Sequence, residues 1–296
     1  MTMPKVTFWR VVFVVIMLLG AYSTIIRFTQ GLGATTNLSD AFPWGIWIGF
    51  DVLCGVMLAA GGFTISATVY IFNLEKFRPI VRPAILTAFL GSCLVVVALM
   101  FDLGRPWNIW HPLVMWNPHS VMFEVGWCVT LYTTVLALEF SPIVFERFKM
   151  TKTLHVLHAI MPLLVILGVL LSTLHQSSLG ALFLMAKPKI HPLWWSQFTP
   201  VLFFVSSIYA GLSMIIFEGT LSHRVFSHMI PPKHHHSFDD IVFGLAKGAA
   251  ITMFVYYVFK ALLFIHDKQW DLINTGWGAW YLVEVIGFVL VPCVMF

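Results

Sequence analysis

Asp51, Glu124 and His175 lie inside or at the ends of apolar runs, and Asp102 opens the sequence Asp102-Leu103-Gly104-Arg105-Pro106. A charged side chain at the centre of a bilayer costs about 2.5–3.5 kcal/mol on insertion scales. Residues kept at that cost serve chemistry or pairing. Carboxyl groups and an imidazole at one depth suit a proton-coupled site, because these groups exchange protons with a bound reactant.

The rest of the chain must place them. It has 296 residues, of which 59% are hydrophobic and 10% charged. Its mean hydropathy is +0.88. A soluble domain carries about 25% charged residues, so this chain cannot cover a water-facing surface. Its 12 Trp and 27 Phe suit lipid contact and interfacial belts. The expected fold class is all-α, a polytopic transmembrane helical bundle, with residues 1–296 as a single integral membrane domain in contact with lipid. The net charge of +4 comes mainly from short basic loops. It reads as a topology signal and not as a nucleic-acid surface. The stretch from Lys5 to Ser23 resembles a signal peptide, but its apolar run continues to Ile26 and reads as a retained first helix. Cys54, Cys93, Cys128 and Cys293 form no C-x-x-C pair. An iron–sulfur cluster takes four thiolates in recognisable spacings, so none is expected in this chain.

Eight runs approach the ~20 residues that span a bilayer: roughly 8–26, 44–72, 80–101, 120–142, 154–175, 197–218, 241–265 and 277–296. The last has no polar tail, so either it stops at the far interface or the chain is shorter than its parent. Lys5, Arg10, Lys76, Arg78, Arg82, Arg147, Lys149, Lys152, Arg224 and Lys233 fall in one set of loops, and Arg27, Arg105, Lys187, Lys189 and Lys268 in the other. This bias places the N-terminus in the cytoplasm. Asp51, Asp102, Glu124 and His175 then fall in one slab within about 10 Å of the outer face, at 1.5 Å per residue.

Asp102 and Arg105 read as a structural ion pair that anchors a loop. His175 equally suits a cap on its helix's last carbonyls. Glu139, His155, His158 and Glu218 form a second layer toward the cytoplasm, suited either to proton transfer or to snorkelling at the interface. Lys260 and Glu284 suggest an interhelical pair, with Lys247 in the same seam. His234, His235 and His236 read as a solvated loop and not as a metal site. A transmembrane b-type haem needs histidines on two facing helices, and the spacing offers no such pair, so no haem is expected. The outer connections are rich in Trp: Trp107, Trp110, Trp116, Trp194 and Trp195 suit an interfacial belt or a docking floor.

Three motifs carry a resemblance. Gly31-Leu32-Gly33-Ala34-Thr35-Thr36-Asn37-Leu38-Ser39-Asp40, followed by Pro43-Trp44-Gly45-Ile46-Trp47 and Asp51, resembles the start of the second helix in HybB-type proteins. Asp102-Leu103-Gly104-Arg105-Pro106 resembles the signature of the wider NrfD/PsrC family. His175-Gln176-Ser177-Ser178-Leu179-Gly180, then His191-Pro192-Leu193-Trp194, is again similar to HybB-type chains.

The resemblance implies a membrane subunit that exchanges electrons with quinone and carries no cofactor of its own. It implies an iron–sulfur electron-transfer subunit and [NiFe]-hydrogenase subunits on the outer face of a bacterial or archaeal cytoplasmic membrane. Other members serve polysulfide, nitrite or multihaem cytochrome complexes. The family's acid and histidine positions fall on Asp51, Glu124, Glu139, His175 and Glu218. HybB-type chains usually have ten helices, and this one supplies eight.

The combined expectation is a quinone-reactive subunit, not catalytic alone, that passes electrons to menaquinone or ubiquinone. The N-terminal four-helix bundle, 8–142, would supply most of the quinone site, and 154–296 the remaining helices. His175, Asp51 and Glu124 would bind quinone, and Glu124, Glu139, Glu218, His155 and His158 would transfer protons. No internal repeat points to a transporter. A passive anchor leaves acids inside helices unexplained.

Overall fold

A computed structural model describes residues 7–39, 42, 45–226 and 233–295, with side chains from 238 in the last stretch. Asp40, Pro43 and Trp44 of the first motif and the side chains of His234, His235 and His236 lie outside this description. Among the described residues there is no strand, and eight helices are long and apolar enough to cross a membrane. They are α1 (Phe8–Gln30), α2 (Ile46–Ile71), α3 (Glu75–Asp102), α4 (Val121–Arg147), α5 (Thr151–Met185), α6 (Thr199–Val225), α7 (Phe238–His266) and α8 (Gly276–Met295). The chain is a multi-pass membrane protein. Because the helices cross in alternate directions, the described parts of the connections that follow α1, α3, α5 and α7 share one face, called here the tryptophan-rich face.

The expected all-α bundle of eight helices is what is seen, with different ends. α5 continues to Met185, ten residues past the expected end at 175. Its polar run Gln176-Ser177-Ser178 stays helical because Ser178 is buried against α4, where its Oγ donates to Glu124 Oε1 at 2.5 Å. The helix that includes α7 begins at Lys233, so the three histidines expected in a loop stand on helical backbone.

Lipid gives helices no hydrophobic reason to associate, so close packing and polar bonds must hold them. α4 pairs with α5, α5 with α6 and α6 with α7, while α2 is wedged between α3 and α6. The wedge fits because of the small-residue run Ala59-Ala60-Gly61-Gly62. A Cβ on Gly61 would fall 2.7 Å from the Gly211 carbonyl oxygen, and one on Gly211 would fall 2.4 Å from the Gly61 nitrogen. Only glycine allows this backbone contact. Below it, Ile65, Ile85, Leu212, Ile215 and Leu245 join α2, α3, α6 and α7 in one apolar cluster.

α1 stands apart. Of its 23 residues only Arg27 is buried. The gap between α1 and the α2–α3 pair is the principal cleft.

Candidate functional site

The cleft has a volume of about 770 Å³. α1 contributes Ser23, Thr24 and Arg27, α2 contributes Trp47, Asp51, Gly55 and Leu58, and α3 contributes Thr87, Gly91, Val95, Ala98 and Asp102. Thr35 and Thr36 close its end at the tryptophan-rich face. Thr87 and Asp102 are fifteen residues apart on α3, so the cleft follows that helix for about 22 Å. One end is polar and the long arm is apolar.

The polar end is built by three helix segments. Arg27 lies on the last turn of α1, and its Nε donates to the Phe101 carbonyl at 2.8 Å. Its Nη2 donates to the Leu103 carbonyl. These carbonyls close α3, where a helix leaves unsatisfied acceptors and partial negative charge. The guanidinium is 5% exposed and therefore works in a low-dielectric setting. Beside it Asp102 ends α3, with Arg27 and Asp51 acting on its carboxyl electrostatically and Trp47 within hydrogen-bonding reach. Asp102 Oδ2 is buried and has no partner. Asp51 sits on a π-helical stretch, Gly49–Gly55. Such stretches widen a helix locally and are frequent at functional sites.

This corrects the expected pairing of Asp102 with Arg105. Arg105 is exposed, and among the described residues no ion pair joins it to Asp102. The C-terminal carbonyls of α3 draw a cation from α1 instead. Arg27 was counted only as a basic loop residue. It is the sole charged residue between Arg10 and Asp40, and that isolation was the available signal.

The other expected residues do not gather in this cleft. Glu124 is exposed near the start of α4, apart from its bond to Ser178. His175 was expected at a helix end, but α5 carries it into the interior, where it is 3% exposed and does not line the cleft. Val56, Val95, Leu179 and Leu182 form an apolar cluster that joins α2, α3 and α5. The expected meeting of Asp51, Glu124 and His175 in one pocket is therefore not observed.

His175 instead belongs to a sealed polar group on α4 and α5. Its ring centre is 6.3 Å from that of Tyr132. Gln176 and Ser172 are buried beside it in sequence. Both ring nitrogens of His175 and both amide atoms of Gln176 are buried without partners, and the buried Tyr132 hydroxyl has Ser172 within hydrogen-bonding reach. Glu139 is 6% exposed and rests over Gly168, whose position would set a Cβ 3.0 Å from Glu139 Oε1. Tyr132 and Gln176 were not singled out from sequence. Tyr132 is a polar residue within an apolar run, a weak but readable sign, whereas Gln176 stands in the polar run 175–178.

Glu218 joins the cleft from the opposite end. Its Oε2 accepts from Thr87 Oγ1 at 2.5 Å, and Thr87 lines the cleft. Glu218 also borders a second space of about 290 Å³ with Pro83, Ser222 and His223. His155 and His158 are exposed on the first turns of α5. Among the described residues no group of three or more His, Cys, Asp or Glu is placed to hold a metal ion.

Comparison with known proteins agrees with this architecture. Residues 34–296 match the family described as Polysulphide reductase, NrfD. A protein of Nitratidesulfovibrio vulgaris is 50% identical over 95% of this chain and 73% of its own length. The probable Ni/Fe-hydrogenase 2 b-type cytochrome subunit of Escherichia coli is 41% identical over 66% of the chain, which spans half of that relative. The menaquinone reductase integral membrane subunit of N. vulgaris is 28% identical over 99% of the chain and 74% of its own length. No solved structure matches the chain.

Proposed function

The chain belongs to the Polysulphide reductase, NrfD family, and from that premise we propose that it is the quinone-reactive membrane subunit of a respiratory oxidoreductase. One observation carries this reading: two carboxyl groups and a buried guanidinium meet at the polar end of an apolar cleft of about 770 Å³ between α1 and the α2–α3 pair. A quinone has two carbonyl oxygens on a flat ring and a long apolar tail. The ring fits the polar end, and the tail fits the arm lined by Leu58, Leu94, Val97 and Ala98.

Reduction of the ring takes two electrons and two protons. Arg27 and Trp47 stabilise negative charge as it develops on a carbonyl oxygen, acting from fixed positions with little reorganisation. Asp51 and Asp102 hold the protons for those oxygens. Glu218, through Thr87, replenishes them from the opposite face. Glu139, Tyr132 and His175 form a separate proton store outside the cleft. Glu124 and His175 thus act beside the ring and not on it. The tryptophan-rich face is the outer face of a bacterial or archaeal cytoplasmic membrane, and the N-terminus is cytoplasmic.

The electrons come from a partner's iron–sulfur subunit docked on that face. The E. coli relative is named as a hydrogenase subunit and the N. vulgaris relative as a menaquinone reductase subunit. We take a [NiFe]-hydrogenase as the partner, with a menaquinone-reducing complex as the second reading. The E. coli relative's name includes a b-type cytochrome. We propose that this chain holds no haem. His175 is the sole buried histidine among the described residues, and its ring faces Tyr132 and not a second histidine. A haem absorption band in the purified chain would sink that part.

The central test uses the purified complex with two acceptors. Asp51→Asn and Asp102→Asn should abolish reduction of a menaquinone analogue while the partner's activity with an artificial dye is kept. Unimpaired quinone reduction in both variants overturns the reading.

A further inference from the structure

Glu284 holds two elements with its two oxygens. Oε1 lies 3.5 Å from Lys260 Nζ on α7. Oε2 accepts from the indole Nε1 of Trp194, which belongs to the connection 186–198. Lys260 is buried, and its ammonium lies 5.2 Å from the centre of the Tyr281 ring. Trp194 meets Tyr281 edge-on at 5.8 Å. Gln269 Nε2 adds a hydrogen bond to the Pro192 carbonyl at 2.9 Å. None of these residues lines the principal cleft, and the reaction above gives them no part.

Three observations set this group apart. Glu284 is the second residue of a π-helical stretch, Val283–Leu290, as Asp51 is the third of another. The acid of the first stretch lines a cleft with an indole and a buried cation, Trp47 and Arg27, and that of the second bonds an indole and a buried cation directly. Next, a buried ion pair is weak evidence for stability, since apolar residues of similar volume often pack as well or better. Its presence points to a positional task. Finally, the two centres differ in room. The first opens on the large cleft. The second borders a space of about 20 Å³, shared by Trp195, Ser196, Lys260, Asp267 and Gln269. That volume admits one water molecule and excludes an organic ligand. The indole Nε1 of Trp195 is buried without a partner, and the Lys260 ammonium has three donors to place.

We propose that Glu284, Lys260 and Trp194 form a lock beside one bound water, and that this lock seats the connection 186–198 on α7 and α8. The water accepts from Trp195 and Lys260 and donates toward Asp267. The far end of the connection is already fixed: a Cβ on Gly180 would fall 2.5 Å from Pro200 Cα, so the start of α6 presses on α5. The connection therefore ties the α5–α6 pair to α7 and α8. The lock stands without the quinone reading. If that reading holds, the lock also fixes part of the face on which the electron donor docks.

Hydrogen–deuterium exchange on the intact purified complex tests it. Trp194→Phe keeps the ring and removes the donor, and Glu284→Ala removes the acceptor. Each should speed exchange of the 186–198 peptide by at least about tenfold, as expected for a lost hydrogen bond to a charged group. Peptides from 201–225 should not change. The double variant should not exceed Glu284→Ala by much, because both singles break the Trp194–Glu284 bond and only Glu284→Ala also removes the Lys260 pair. Glu284→Gln, whose amide oxygen still accepts from Trp194, should restore most of the protection. Unchanged exchange, or additive effects in the double variant, overturns the lock. If Glu284→Ala fails to fold, Trp194→Phe alone decides. A cryo-EM map fine enough to show ordered water should place one within ~3 Å of Trp195 Nε1. An empty space there removes the water from the proposal. Quinone reduction, measured alongside, reports separately on the function proposed above.

Discussion

Arg27 Nε donates to the carbonyl oxygen of Phe101 at 2.8 Å, and this bond joins the end of α1 to the end of α3. α1 buries nothing else, so its position rests largely on this side chain, with Phe28 edge-on against Phe101 beside it. The same guanidinium is the positive charge of the cleft. Structure and chemistry thus share one residue.

Arg27→Met should therefore fail in two ways. Hydrogen bonds to a charged group are worth about 1.5–3 kcal/mol each, so losing them should lower the thermal midpoint in detergent and free α1 to drift. Quinone reduction should fall by at least about tenfold, the factor that 1.4 kcal/mol represents. Arg27→Lys keeps the charge but lacks the forked donor geometry, so it should recover part of the activity and little of the stability. Equal rates in Arg27→Met and the parent protein would remove Arg27 from the site.

The apolar arm makes a separate prediction. Ala98 lines the cleft one helical turn from Asp102, where the apolar arm begins. Ala98→Phe should fill space meant for a tail. The Michaelis constant for a long-tailed quinone should rise several-fold, while a short-tailed analogue and dye reduction should change little. A uniform loss with every acceptor would mean that the substitution damages the fold instead.

The α2–α6 contact is a test of the fold alone. Gly211→Val would push a side chain into the backbone of Gly61. Overpacking of this kind costs about 1–3 kcal/mol, occasionally more. The expected result is a lower unfolding midpoint and a lower yield of assembled complex. A variant as stable as the parent would show that the helices do not meet so closely.

The sequence revealed the helices more readily than the site. Eight apolar runs needed only length and composition to be seen. Asp51 and Asp102 were legible because charge in hydrocarbon is conspicuous. Their partner was not, because a basic residue near a helix end reads as an interfacial anchor, and Arg27 differs only in where α3 ends in space. His175 was misplaced because a polar run after an apolar one resembles a helix end. Ser178 bonds Glu124 across the helix pair, so those polar residues face α4 and the helix continues. Depth along a helix was readable, whereas azimuth was not. That is why four residues at one expected level divide among a cleft, an exposed edge and a sealed interior.

The sealed interior should show a conflict between stability and turnover. His175 has two buried ring nitrogens without partners, and an unsatisfied buried polar group costs about 1–3 kcal/mol. His175→Leu removes that cost at similar volume and should raise stability by about 1 kcal/mol, or about 2 °C in a chain of this size. If His175 and Tyr132 store protons for the cleft, the same variant should lower quinone turnover, and Tyr132→Phe should do so with less effect on stability. Higher stability with full turnover would make the group structural and end its role in proton supply.

Glu218 offers the sharper test of how protons arrive. Its carboxylate meets Thr87 at 2.5 Å between the principal cleft and the space at the opposite end. Thr87→Val keeps the shape and removes the donor. It should slow turnover at saturating quinone while leaving the Michaelis constant near its parent value, because the proposed ring site lies some 22 Å away along α3. Glu218→Gln keeps a hydrogen-bond acceptor for Thr87 but cannot carry a proton as a carboxyl does. It should be slower than Thr87→Val if the carboxyl is the carrier. If it is merely the acceptor that holds α3 to α6, Glu218→Gln should behave as the parent and Thr87→Val should lose stability instead. Steady-state rates and thermal midpoints of the two variants therefore separate a proton path from a helix clamp.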